Sequence, residues 1–219
     1  MKRLFYVTIL ILSCCVLISC KSQEQKAQEL VKTELSKTLY DFDSYQPIDV
    51  KVSPAKSLPI NDSVCRDYAM NYSACYSILL ETAQEAQYAL DEIDIWKPTS
   101  YSNDYTNQKY QDACDNLYYN LEKANYFVNK CNEYHDNILR IASTLDTAKV
   151  IGWNVDHTFR CKTKGGNWSI ANYRFVVDKK FKHEYFHEDT EADDVENITI
   201  IIESILDGTL EKLDTCKLR

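Results

Sequence analysis

Between Tyr72 and Leu145, apolar and aromatic residues recur at alternating spacings of three and four, with one interruption around Pro98. That pattern constrains the fold more than any other feature of the chain. The first run is Tyr72, Tyr76, Leu79, Ala83, Ala86, Leu90 and Ile93. The second is Tyr110, Cys114, Leu117, Leu121, Ala124, Val128, Cys131, His135, Ile138, Ala142 and Leu145. Residues so spaced share one helix face, and a heptad-like stripe needs a second helix to cover it. The interruption is short, so the spacing predicts an antiparallel helical hairpin inserted over about residues 64–147. At 1.5 Å per residue its arms are about 45–65 Å long, enough to extend beyond a small globular body. Asn61-Asp62-Ser63 supplies capping side chains before the first arm. Only four glycines and four prolines in 219 residues agree with long regular elements.

The flanking sequence has other periods. Residues 21–40 place Ala27, Leu30, Val31, Leu35 and Leu39 on one helical face, and Pro47 ends that helix. Ile48, Val50 and Val52 alternate as in a short strand. From Lys149 the period is two: Ile151, Trp153, Val155, His157, Phe159 and Cys161 face one way. Lys164-Gly-Gly-Asn167 marks a hairpin turn, Ser169–Val177 a second strand, and Phe181–Phe186 a third. Val195, Ile198, Ile202 and Ile205 favour a last helix, although Ile200–Ile202 also permits a strand. The fold class expected is α+β: a small antiparallel sheet of three to four strands with terminal helices, interrupted by the long hairpin.

The N-terminal residues address location. Lys2 and Arg3 precede an apolar run from Leu4 to Val16, and Leu17-Ile-Ser-Cys20 follows. This is the pattern of a secretory signal peptide of the bacterial lipoprotein kind. It sets residues 1–19 as the signal and 20–219 as the mature chain, lipidated at Cys20. Lys21-Ser22 lacks the aspartate associated with inner-membrane retention, so the outer membrane of a Gram-negative envelope is expected. A helix begins almost at once after Cys20, which leaves little tether. Net charge is −8, about −10 once Lys2 and Arg3 are gone. So acidic a chain is a poor match for phosphate backbones, and nucleic acid is not an expected partner. The expected partners are the membrane, through lipidated Cys20, and another envelope protein.

Three segments carry a resemblance. They are Leu17-Ile-Ser-Cys20 with its following charged helix, Leu39-Tyr-Asp-Phe-Asp-Ser-Tyr-Gln-Pro47, and His157-Thr-Phe-Arg160 with Gly165-Gly166 and Phe175-Val-Val-Asp178. Together they resemble small lipoproteins of unknown function from Bacteroidota-type bacteria, with their Asp-x-x-Ser-Tyr-x-Pro segment and glycine-turn β-hairpin. The resemblance implies an envelope location and an α+β arrangement, and no activity.

Chemistry-bearing residues are few. If Trp96 lies opposite Asn107, Cys75 lies near Val128–Cys131 and Cys114 opposite Ala89. Cys75–Cys131 is then the best disulfide pair in an oxidising compartment, against the alternative that seam cysteines are small buried hydrophobes. His183 and His187, beside Glu184, Glu188 and Asp189, are the only hint of metal, and two histidines are too few for a zinc site. No catalytic motif is present, and no cofactor or metal is expected. Tyr101 and Tyr105 at the hairpin tip are candidate contact residues. The expected function is a non-enzymatic protein-interaction module. The alternative is a ligand-binding module or enzyme using a pocket at the C-terminal sheet, near His157, Arg160 and Tyr173, with the terminal helices.

Overall fold

The computed structural model describes residues 21–215. In chain order its elements are α1 (Gln23–Thr38), β1 (Gln46–Lys56), α2 (Ser63–Trp96), α3 (Asp104–Thr144), β2 (Val150–Lys162), β3 (Trp168–Asp178), β4 (Glu184–Asp189) and α4 (Asp193–Asp207). The chain is α+β, with a four-stranded antiparallel sheet and a long helical hairpin. It divides into two compact units. A sheet unit contains the described residues up to Ala55 together with Val150–Glu191, and a helical unit contains Lys56–Lys149 and the residues from Ala192 on.

In the sheet unit the strand order is β1-β2-β3-β4. β2 and β3 are paired in a register that sets Val155 opposite Phe175 and Phe159 opposite Ala171. Side chains two apart share a face, so Val155, Phe159, Phe175 and Val177 form one apolar surface. Ala27, Leu30, Val31 and Leu35 of α1 are buried against it. A capping box closes the start of α1: Ser22 Oγ accepts from the Gln25 N–H while Gln25 Oε1 accepts from the Ser22 N–H.

The third strand of the hairpin meander is displaced from the expected Phe181–Phe186. Phe181 has φ 55°, in the left-handed region, and stacks on Trp153 with ring centroids 5.8 Å apart. The Asp178 carboxylate accepts from the Lys182 and His183 N–H groups, at 2.6 and 3.0 Å. These contacts extend the turn to His183, so β4 starts at Glu184.

In the helical unit α2 and α3 pair through a seam that departs from the expected stripe in its upper half. Ala83 and Leu90 are exposed, and Thr82 and Ala89 are buried instead. Cys75, Thr82, Ala89 and Trp96 are seven apart, which keeps one heptad position facing α3. The buried Thr82 hydroxyl is satisfied by donating to the Ile78 carbonyl at 2.8 Å. Facing rings confirm the alignment: Tyr68 meets Tyr134 and Trp96 meets Tyr105, each pair with centroids 6.0 Å apart.

The C-terminal segment is a helix, and it packs in the helical unit. Ile198, Ile202 and Ile205 of α4 are buried with Cys65 and Ala69 of α2 and Ile138 of α3. Gly208, at φ 79°, ends it in the left-handed conformation that glycine adopts without strain.

Candidate functional site

The buried polar groups of the sheet unit come first. His157 lies under α1 on the apolar face, stacked on Phe159 with centroids 5.4 Å apart. One ring nitrogen, Nδ1, is 2.9 Å from the Asp49 carbonyl oxygen, which can only accept, so Nδ1 carries the proton. Nε2 therefore accepts from the Tyr45 hydroxyl at 2.8 Å. Burial lowers the His157 pKa and raises that of Tyr45 to about 12, so both stay neutral. With both nitrogens engaged, His157 holds β1 to β2 and has no free site for a substrate proton.

His157, Arg160 and Tyr173 do not converge on one pocket. His157 pairs across the ladder with Tyr173 on the face under α1. Arg160 is on the opposite face, where its Nε–H donates to Gln46 Oε1 at 2.7 Å and its guanidinium stands 5.1 Å from the Trp168 ring centroid.

The two histidines of the metal reading occupy different settings. His183 is exposed in the turn. His187 is half-buried on β4, stacked on Phe175 and Tyr173 with centroids 5.0 and 5.9 Å apart. Between Val176 and Val177 the register with β4 shifts, so that Phe186 and Glu184 are successive partners and Tyr185 is bulged out. The bulge places Glu184 and His187 on one face, although an odd separation in a regular strand would put them on opposite faces. Nδ1–H of His187 then donates to Glu184 Oε1 at 2.5 Å. Among the described residues no group of three or more His, Cys, Asp or Glu is placed to hold a metal.

This pair predicts a pH dependence. The Glu184 carboxylate raises the His187 pKa despite burial, and Glu34 of α1 adds to it. A histidine raised in the folded state contributes stability fully below its unfolded pKa of about 6.5 and loses it as pH rises through the folded value. His157, lowered by burial, works oppositely: its contribution is present above about 6.5 and is lost as pH falls toward its folded value. His187→Gln should therefore lower the melting temperature by about 2–4 °C at acid pH, with the deficit shrinking as pH rises. Melts at about pH 5.5 and about pH 8.5 check it; a deficit larger at the alkaline end would contradict the pair.

In the helical unit, His135 and Asn132 tie down the segment after α4. His135 Nε2–H donates to the Leu210 carbonyl at 3.1 Å, and Asn132 exchanges two 2.9 Å hydrogen bonds with the Leu213 backbone. A histidine in an apolar seam was the only signal of this in the sequence. Cys131 is buried and Cys75 half-buried, on facing turns close enough that a thiolate at Cys75 raises the Cys131 pKa. Both stand as free thiols, as does Cys114, and Cys75 and Cys131 are the two expected as a pair. Burial is the main cause of the rise, which takes Cys131 to about 11, and the neutral thiol fills the seam as a small apolar group.

The loop joining α2 to α3 is ordered by its own hydrogen bonds. Thr99 N–H donates to Ser102 Oγ at 2.7 Å, Ser102 N–H donates to the Thr99 carbonyl at 3.1 Å, and Asn103 with Thr106 forms a capping box on α3. This turn presents Tyr101 at 93 % exposure. Tyr105 is also largely exposed and meets the Trp96 ring edge-on. Ile95, Tyr88, Tyr118, Tyr119 and Tyr126 add further exposed apolar surface along the arms. The expected signal segment and the expected lipidation site Cys20 lie outside the described residues, and among those described no helix is long and apolar enough to cross a membrane. Compared with known proteins, the chain matches no family model, no curated protein and no solved structure.

Proposed function

We propose that the protein is a lipid-anchored bacterial envelope protein, most simply of the outer membrane, whose helical hairpin is a contact arm for another envelope protein. The observation that carries this is the hydrogen-bonded turn at Thr99–Asn103, which leaves Tyr101 exposed, as Ile95 and Tyr105 are at the adjoining helix ends. Large exposed aromatic side chains on a rigid support are costly to leave in water and are typical of contact surfaces. The tyrosine ring gives area with few rotatable bonds, and its hydroxyl tolerates a wet rim. Anchoring through Cys20 is supported by Leu17-Ile-Ser-Cys20 after a basic and then an apolar segment. The sheet unit fits a supporting role, because its buried histidine is fully engaged and its apolar face is filled by α1.

The test uses the full chain in cells. A photo-crosslinking side chain at position 101 should capture one envelope protein reproducibly. Tyr101→Ala with Tyr105→Ala should cut a crosslink placed at Ser102 at least tenfold, with the helical circular dichroism unchanged. Equal crosslinking in the double variant would overturn the contact-arm reading.

A further inference from the structure

The seam between α2 and α3 repeats one kind of layer at heptad steps. Ala89 of α2 and Leu117 of α3 are buried in one cluster. Seven residues further from the tip on each helix stand Thr82 and Ala124, both buried. Seven further still stand Cys75 and Cys131. Beyond them Ala69 and Ile138 are again buried in one cluster. In paired helices a heptad step returns to the same position of the interface, so Cys75 and Cys131 occupy one layer, with packed contacts on both sides of it. At an interaxial distance of about 8–10 Å and a Cα radius of about 2.3 Å, facing Cα atoms of a layer come within the range of about 4.4–6.8 Å that a disulfide spans. The local fields agree with this placement. Burial and then Cys75 raise the pKa of Cys131 and of Tyr134 on α3, and burial and then Cys131 raise that of Tyr72 on α2.

The other cysteines of the hairpin stand in different layers. Cys65 is ten residues from Cys75, and Cys114 seventeen from Cys131, which is about 15 Å and about 25 Å along the respective helices. The two thiols of the pair also differ in access. Cys131 is fully buried, whereas Cys75 is half-buried and open to solvent on one side. Burial raises the Cys75 pKa, and the Lys130 ammonium on the facing helix opposes that rise. Cys75 is thus the thiol that a reagent can meet, and the one with a cation beside the thiolate that must form.

We propose that Cys75 and Cys131 are a dithiol–disulfide couple, oxidised by exchange with a disulfide-bearing oxidant, with Cys75 as the entry thiol and Cys131 as the resolving one. The Cys75 thiolate attacks one sulfur of the oxidant, whose S–S bond breaks, and the leaving thiolate takes up the proton that Cys75 gave to solvent. A mixed disulfide now stands on Cys75. The Cys131 sulfur attacks the Cys75 sulfur, and its proton goes to the second leaving thiolate. Two protein thiols are oxidised to one disulfide, and the oxidant is reduced to two thiols. The bridge closes a loop that contains the upper arms and the whole Trp96–Asp104 turn, so it ties the two helices in one register below the tip. The couple is independent of the contact-arm reading; only the cellular source of its oxidant depends on the envelope location.

The test incubates the reduced full chain, in detergent, with glutathione disulfide and maps the products by non-reducing peptide mass spectrometry. A peptide pair joined through Cys75 and Cys131, and lost on reduction, is expected. Cys131→Ala should stop at the first step and carry glutathione on Cys75. Cys75→Ala should leave Cys131 as a thiol, with glutathione uptake at least tenfold slower than at Cys75 in the Cys131→Ala chain. Three results in the unaltered chain would overturn the couple: both cysteines staying thiols, glutathione remaining on Cys75 beside a free Cys131, or a bridge from either to another cysteine such as Cys161 or Cys216. Equal glutathione uptake in the two variants would overturn the order of attack. The map of the unaltered chain decides the pairing even if a variant fails to fold. The chain is also taken from cells by acid quenching and alkylation. If it is reduced there while the purified chain forms the bridge, the couple stands and the envelope location fails.

Discussion

Phe159→Ala should cost the sheet unit about 3–5 kcal/mol. Phe159 is fully buried in the middle of β2, and its ring contacts His157, Tyr45 and Tyr173, with centroids 5.3–5.6 Å apart. Truncation removes the apolar contact of a whole ring and leaves a cavity under α1. The neighbours cannot collapse into it freely. Tyr45 and His157 are held at 2.8 Å by their hydrogen bond, and His157 is tied to Asp49 on β1. The loss should appear as a lower urea midpoint with an unchanged slope, followed by fluorescence of Trp153 and Trp168. Phe159→Leu should recover more than half of it. A loss below about 1 kcal/mol for the alanine variant would show that this cluster is not the centre of the core.

Gly152→Ala should be comparably damaging, for the opposite reason. Gly152 is opposite Asp178 in the β2–β3 ladder. A Cβ there would be 1.8 Å from the Val177 carbonyl oxygen and 2.9 Å from its carbon. These are backbone atoms of the neighbouring strand, so no side chain can rotate away to make room. The ladder must open locally, and a cost of about 3 kcal/mol or more is expected from so severe an overlap. The same urea experiment reads it. By contrast Gly166→Ala meets no atom within 4 Å and faces only its φ of 79°, so it should cost about 1 kcal/mol. Equal costs at the two glycines would refute the steric account.

How far these features were legible in the sequence follows from the range of the forces involved. Helical and strand periods are local, so the hairpin, the α1 stripe and the alternation of β2 could be read directly from Ala27, Leu30, Val31, Val155 and Phe159. The alignment of α2 with α3 was legible too, because one short turn leaves little freedom in the pairing. What escaped depends on a single residue of slip or on distant partners. The bulge at Tyr185 reverses which side chains share a face, and no composition cue marks it. The choice between Ala83 and Thr82 in the seam turns on a buried hydroxyl that finds its acceptor at Ile78. The docking of α4 on the helical unit is a long-range match of isoleucines to Cys65, Ala69 and Ile138, which spacing alone cannot assign.

The place where the helical unit interrupts the sheet unit has a consequence for the order of assembly. β1 and β2 are ladder neighbours, yet the whole of Lys56–Lys149 separates them. Joining two strands across so long a loop is slow, because closure entropy must be met before any contact forms. The hairpin removes that delay by local steps alone. Once α2 and α3 zip, the Ser57 N–H donates to the Lys149 carbonyl at 2.9 Å, so the chain leaves the hairpin beside the point where it entered. For the two strands, the long insertion then behaves kinetically like a tight turn. α4, made last, closes over Cys65 and Ile138 only after the sheet strands have been synthesised. The chain can thus build its sheet on a clip that it folds first and locks at the end.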